Sequence, residues 1–204
     1  STSTIYRGLD NGLLQDTLRY YLRIKYKKIG KAKDCKRICF QRSISLRPES
    51  ANLRTEAGHW EGDTVRGSKE NDAVVTLVDR YSRFLLCEKV PNRESDTVRR
   101  AVVKLLKQSR LPVHSVTFDQ GTEFAESLEM EQELGVGVYF AHPHAPWERP
   151  TNENINGLIR QFIPKRSKVS ALTDDDIWSI VAKLNFRPRK CLGWKTPYEV
   201  AFNE

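Results

Sequence analysis

Three carboxylates in this 204-residue chain stand where core building gives no reason for them: Asp63, Asp119 and Glu153. Asp63 falls inside His59–Arg66, a run that reads as a strand, and aspartate is poor strand material. Asp119 ends a later apolar run, just before Gln120-Gly121. Glu153 sits in the first turn of a helix opened by Thr151, whose apolar stripe is Ile155, Leu158, Ile159 and Phe162. At about 100° per residue it points roughly 160° from Ile155, beside Gly157 and Arg160 and away from the core. Carboxylates converging from the centre of a sheet repel one another unless a cation neutralises them. Magnesium, a hard ion bound through carboxylates and water, is the expected cation. Taken singly, two of the three have plainer accounts: Asp119 can open the Asp-Gln-Gly turn, and Glu153 can complement a helix dipole.

Holding these groups together requires a sheet, and the pattern from Gly58 onward supplies one. His59–Arg66 and Ala73–Val90, the latter broken by Arg-Tyr-Ser-Arg at 80–83, read as three antiparallel strands in succession. Asn92-Arg93-Glu94-Ser95 caps a helix with Val98, Ala101, Val102, Leu105 and Leu106 on one stripe, and Leu111-Pro112 ends it. His114–Asp119 predicts a strand, Thr122–Leu134 a helix and Val136–Ala141 a strand. Helices from Thr151 to about Phe162, over Thr173–Leu184 and over Thr196–Phe202 close the chain. This order describes an α/β domain with a mixed five-stranded sheet and helices on both faces. Residues 1–57 read as short helices and loops, with Leu9, Leu13, Leu14, Leu18 and Tyr21 at helical spacing, so the expected division is 1–57 and 58–204. No internal repeat is visible, which excludes solenoids and propellers.

Charge sharpens that division. The chain carries 34 Lys plus Arg and 26 Asp plus Glu, a formal net charge of +8. Residues 1–57 hold 13 basic and 5 acidic residues, leaving 21 of each in the remainder, so the whole excess lies in the first quarter. There Arg23, Lys25, Lys27, Lys28 and Arg37 interleave with Tyr20, Tyr21, Tyr26 and Phe40, a mixture suited to a nucleic-acid backbone; a solvated basic linker is the bland account. Cys35-x3-Cys39 lacks the second pair that a zinc site needs. No apolar run approaches the roughly 20 residues of a membrane span, and nothing at the start argues for secretion. The expected setting is cytoplasmic, associated with the nucleoid if the host is bacterial, with no membrane partner. The sole methionine, Met130, suggests a piece of a longer protein.

Five segments then become recognisable: Gly58-His-Trp-Glu-Gly-Asp63-Thr-Val, Leu77-Val-Asp-Arg-Tyr-Ser-Arg-Phe84, Phe118-Asp-Gln-Gly-Thr-Glu-Phe124, Pro143-His-Ala-Pro-Trp147 and Thr151-Asn-Glu-Asn-Ile-Asn-Gly157. Together with Asn185–Pro197 they resemble the catalytic domain of the IS-thirty family of insertion-sequence transposases. The 33 residues between Asp119 and Glu153 agree with that family's Asp-Asp-Glu spacing. Ser3–Arg7 resembles the end of the helix-turn-helix that precedes the catalytic domain.

The resemblance implies an RNase H-like fold shared with retroviral integrases. It implies metal-dependent cleavage at element ends and strand transfer into target DNA, with Asp63, Asp119 and Glu153 holding two Mg²⁺ ions that Mn²⁺ can replace. Double-stranded DNA, as terminal inverted repeats and as target, is the implied partner, handled by a homodimer or higher homo-oligomer. Alternatives are a DNA-binding domesticated or decayed transposase and an RNase H-fold nuclease. Glu123, Asn152 and Asn156 neighbour the triad as groups that support metal ligands or orient DNA. Arg149, Arg160, Lys165, Arg166, Lys168, Arg187, Arg189 and Lys190 are candidates for phosphate contacts, and Trp147 and Trp194 for stacking. Glu61 shares a strand face with Asp63 and is an alternate to it, whereas Asp79 is expected beside Arg80 or Arg83. His142 and His144 read as turn or substrate-channel histidines. Pro150 departs from the family's usual Gly and restrains Arg149.

Overall fold

The computed structural model describes residues 42–68, 72–143 and 145–202. The chain divides into two compact units, Ser1–Cys39 and Phe40–Glu204, and every described residue belongs to the second. The expected helix near 9–27, the basic residues Arg23, Lys25, Lys27, Lys28 and Arg37, and Cys35 and Cys39 lie outside the described residues.

The elements follow the order β1 (Arg42–Ser43), α1 (Glu49–Leu53), β2 (His59–Arg66), β3 (Ala73–Asp79), β4 (Leu85–Val90), α2 (Ser95–Gln108) and β5 (Ser115–Phe118). Then come α3 (Ser127–Leu134), β6 (Gly137–Phe140), α4 (Pro150–Ile159), α5 (Asp174–Asn185) and α6 (Pro197–Phe202). The sheet has six strands in the order β1-β6-β5-β2-β3-β4. Strands β2, β3 and β4 are antiparallel neighbours, while β5 joins β2, β6 joins β5 and β1 joins β6 in parallel. The expectation of five strands is corrected to six. The extra one, Arg42–Ser43, is too short to carry any periodicity and exists only because β6 offers it an edge.

Alternation along the strands sorts the core into two layers. Trp60, Val75, Leu77, Val116 and Phe118 meet Val98, Val102 and Leu106 of α2 and Met130 of α3 on one face. Val65, Val74, Val78 and Leu85 meet Ile155 and Ile159 of α4 and Ile177, Ile180 and Leu184 of α5 on the other. Helices therefore cover both faces, as the sequence pattern predicts. Two helix ends differ from expectation. The Thr122–Leu134 segment begins as a 3-10 turn at Thr122–Phe124, with Phe124 stacked on Phe118 at 4.2 Å between ring centroids. Helix α4 stops at Ile159, and the buried residue closing its stripe is Ile163, because Phe162 is exposed beneath Lys183.

Gly62 controls how tightly β2 lies against β5. A Cβ there would sit 2.2 Å from Phe118 Cε1 and 2.7 Å from Phe118 Cδ1. Since Phe118 is fully buried, it has little freedom to yield. Gly62→Ala is expected to cost about 1–3 kcal/mol by overpacking, read as a lower thermal midpoint. Adding Phe118→Leu should recover part of the loss. An unchanged midpoint in the single variant would contradict this packing. Among the described residues, no helix is long and apolar enough to cross a membrane.

Candidate active site

Strand register brings the first two carboxylates together. In the parallel pair of β2 and β5, His59 faces Ser115 and Glu61 faces Thr117. Asp63 lies two residues beyond the last β2 residue paired with β5, and Asp119 one residue past the end of β5, so the same offset carried on aligns the two. Asp63 has the parity of Val65, so it points to the α4 side, where Asn156 Nδ2 donates to Asp63 Oδ2 at 2.8 Å. The Thr64 N–H donates to Asp63 Oδ1 at 2.7 Å. At Asp119, the Gly121 N–H donates to Oδ1 at 3.0 Å and the Arg149 guanidinium meets Oδ2 at 3.2 Å. Arg149 also donates to the Gly62 carbonyl at 2.9 Å, bridging the two strands.

The charged form of Asp63 is disfavoured, chiefly by burial. Burial holds the Asp63 carboxyl above the usual carboxylate range; Arg149 opposes this shift, and the charge of Asp119 adds to it. Beneath the pair, Glu123 is buried and accepts from Thr64 Oγ1 at 2.9 Å and Arg93 at 3.3 Å. It is thus a brace tying the Asp119 turn to the residue after Asp63.

Helix α4 brings the remaining groups. Its start is pinned by Glu61, which is fully buried: one carboxylate oxygen accepts the Asn152 N–H at 3.0 Å and the other pairs with Arg80. Both oxygens are taken, so Glu61 is an anchor for α4 and not a free alternate to Asp63. Glu153 is exposed, and its carboxylate has no partner among the described residues. It lies one helical turn before Asn156 and so shares the helix face that meets Asp63. Among the described residues, no three of His, Cys, Asp and Glu gather into a metal-holding group. The register unites Asp63 with Asp119, and the helix leaves Glu153 at the rim. Both polar atoms of the buried Asn152 amide and Oδ1 of Asn156 lack hydrogen-bond partners. Such orphans in a polar site call for a ligand, water or ion.

The other candidates divide by exposure. Trp147, at 72% relative exposure, and Trp194, at 69%, present free rings. Lys165, Arg166, Lys168, Arg187 and Lys190 are exposed, and Arg187 reaches Gln161 at 3.5 Å. Arg160 donates to the Arg66 carbonyl at 2.9 Å, and Arg189 turns inward to the Leu184 carbonyl at 2.9 Å, so both brace the fold. Asp79 is not beside a guanidinium as expected. It accepts from the Gly58 N–H at 2.8 Å and from Ser82 N–H and Oγ at 2.8 and 2.7 Å, closing the turn between β3 and β4. His142 is a turn residue, paired with Glu148 at 2.7 Å; His144 lies outside the described residues. Sequence reasoning offered Arg80 as a partner for Asp79, whereas it pairs with Glu61.

Residues 54–146 match the family model described as an integrase core domain. The transposase for insertion sequence element IS1086 of Cupriavidus metallidurans is 40% identical over 159 residues, covering 78% of this chain and 47% of that protein. Transposase InsI for element IS30A of Escherichia coli K12 is 43% identical over 158 residues, covering 77% of this chain and 41% of that protein. This chain carries an integrase core domain homologous to those of IS30-family transposases. The chain spans less than half the length of these two relatives. Its fold is also that of the catalytic core domain of BIV integrase, at a TM-score of 0.57 and 20% identity, covering 72% of this chain and 95% of that one. The RNase H-like architecture is thereby established for this integrase core. Helix α4 and Glu153 lie beyond the residues matched by the family model.

Proposed function

We propose that this chain is the catalytic part of a DNA transposase that performs metal-dependent phosphoryl transfer, with Asp63, Asp119 and Glu153 as the carboxylates that hold divalent cations. The observation carrying the reading is that Asp63 in β2 and Asp119 just past the end of β5 lie close enough for the charge of Asp119 to add to the burial that raises the Asp63 carboxyl, with Arg149 pulling the other way. The names of the relatives support the same reaction class. The donor set fits Mg²⁺ or Mn²⁺: hard carboxylate oxygens together with the unpartnered amide oxygens of Asn152 and Asn156. Bound there, such ions would activate an attacking oxygen and stabilise a leaving one.

The chain's own residues prepare that chemistry. Thr64 N–H and Asn156 fix the Asp63 carboxylate, while Gly121 N–H and Arg149 fix Asp119, so both are oriented before any ligand arrives. Glu61 holds the start of α4 and thereby sets the reach of Glu153. The reaction first exchanges a phosphodiester P–O bond for one to water, freeing a 3′-hydroxyl at the element end. That hydroxyl then attacks a target phosphodiester, so each step exchanges one P–O bond for another without a covalent protein adduct. The DNA is double-stranded, as element ends and target, and two ends handled together call for a homo-oligomer.

The test is nicking and joining of supercoiled plasmid with Mg²⁺ or Mn²⁺, with parent and Asp119→Asn side by side. Joined product from the parent is expected, and Asp119→Asn should lower both reactions by more than the roughly 10–100-fold typical of residues that merely support a metal ligand. Near-normal cleavage by Asp119→Asn would sink the assignment, whereas cleavage by the parent without joining would point to a nuclease.

A further inference from the structure

Away from the carboxylates, two arginines meet at the start of α4. Arg54 ends α1 with φ of 57°, and Arg83 lies in the turn between β3 and β4 with φ of 64°. Both are in the left-handed region, which Gly and Asn adopt far more readily than a long side chain. Each arginine thus carries backbone strain. The two side chains converge on one atom, Thr151 Oγ1, at 3.3 and 3.4 Å, from 97 and 68 residues away in sequence. Those are long contacts, and a guanidinium has five N–H donors. Arg83 spends another donor on the Arg80 carbonyl. Neither arginine has a carboxylate partner among the described residues.

The charge around them is unbalanced. Burial holds the Arg54 guanidinium below the usual arginine range, and the charges of Arg83 and Arg80 push in the same direction. The carboxylate that opposes them, Glu61, is already paired with Arg80. Arg54 and Arg83 line an open cavity of about 390 Å³ together with Tyr81, Cys191, Leu192 and Val200, and no acidic side chain lines it. The start of the ten-residue helix α4 adds its own partial positive charge. Two forked donors sharing a concave, carboxylate-free space match the oxygens of a phosphate.

We propose that Arg54 and Arg83 form a phosphate-binding site at the start of α4, distinct from the carboxylate site, which takes a backbone phosphate of DNA. The choice of DNA as the source rests on the transposase reading; the phosphate chemistry does not.

The test uses the full chain in EDTA, so that cleavage plays no part. Arg54→Asn/Arg83→Asn removes both charges with a residue that tolerates the left-handed region, and Arg54→Lys/Arg83→Lys retains the charge. DNA affinity is measured against salt by fluorescence anisotropy, and the thermal midpoint is measured with inorganic phosphate against chloride at equal ionic strength. The Asn pair should flatten the log affinity–log salt slope by about 0.9 for one lost phosphate contact. Phosphate should raise the midpoint of the parent but not of the Asn pair, and the Lys pair should keep the parent's slope. Phosphate stabilisation with an unchanged slope would support the site but overturn DNA as its source. An unchanged slope with equal phosphate response in parent and Asn pair would overturn the proposal. If the double variant does not fold, Arg83→Asn alone is held to the same two readouts. Failure here leaves the transposase reading standing, because that reading is decided by Asp119→Asn.

Discussion

Asp63→Asn should melt higher than the parent protein in EDTA at neutral pH, and should lose the stabilisation that Mn²⁺ or Mg²⁺ confers on the parent. A carboxyl whose folded-state pKa is raised binds its proton more tightly in the folded protein. Its charge therefore begins to cost stability as pH rises above the unfolded value of about 3.9, and the cost is complete once pH exceeds the folded value. For Asp63 the causes are burial first and then Asp119, with Arg149 pulling the other way. Replacing the acid by its amide removes the cost. The midpoint should rise at pH 7, and the gain should vanish as pH falls through the folded pKa and below the unfolded one. In the parent, a cation at 100 times its dissociation constant adds about 2.7 kcal/mol, which corresponds to roughly 5–10 °C for a domain of this size. Glu153→Gln separates the roles of the carboxylates. Glu153 is exposed and unpartnered, so the change should leave the EDTA midpoint alone while weakening the cation response. A parent midpoint indifferent to Mn²⁺, or an Asp63→Asn variant that melts lower and still responds, would remove the metal assignment. These readouts require no turnover.

The second large effect is structural. Arg80→Ala or Glu61→Ala should destabilise the domain by about 3–5 kcal/mol, on the order of 10 °C, because each leaves an unpaired charge in a buried site. Glu61 is fully buried and Arg80 nearly so. Arg80 additionally donates to the Ala51 carbonyl at 2.7 Å, and Glu61 accepts the Asn152 N–H. The pair therefore joins α1, β2, the turn after β3 and α4. The double variant should lose much less than the sum of the singles, since the isolated charge is then gone. Thermal unfolding of the four proteins closes the cycle. Additive losses would mean that the two residues do not act as a pair. A less disruptive variant, Glu61→Gln, retains an acceptor for the Asn152 N–H and tests whether the charge itself is needed.

Much of this arrangement was legible in local sequence because it depends on periodicity. Alternation from His59 to Val65 put Asp63 and Glu61 on one strand face, and helical spacing placed Val98, Ala101, Val102, Leu105 and Leu106 toward the sheet; four of the five are buried and Leu105 is half-buried against the same core. The break at 80–83 separated β3 from β4, and the order of strands and helices led to an α/β sheet covered on both sides. Asp63, Asp119 and Glu153 stood out for a related reason: each is a charged group at a position where the local pattern predicts either a strand or a helix start.

What tertiary structure alone decided are the pairings, because periodicity orients a side chain without naming what it meets. Glu61 and Asp63 face the same way, yet Glu61 is consumed by Arg80 and the Asn152 N–H while Asp63 remains beside Asp119. Asp79 closes onto Gly58 and Ser82 instead of the guanidiniums adjacent to it in sequence. Arg42–Ser43 becomes a strand only through the edge of β6, and Arg54 and Arg83 meet only because α4 delivers Thr151 between them. In each case the partner lies outside the window over which local pattern carries information. The outcome rests on strand register and on the cost of leaving a buried charge or amide unsatisfied.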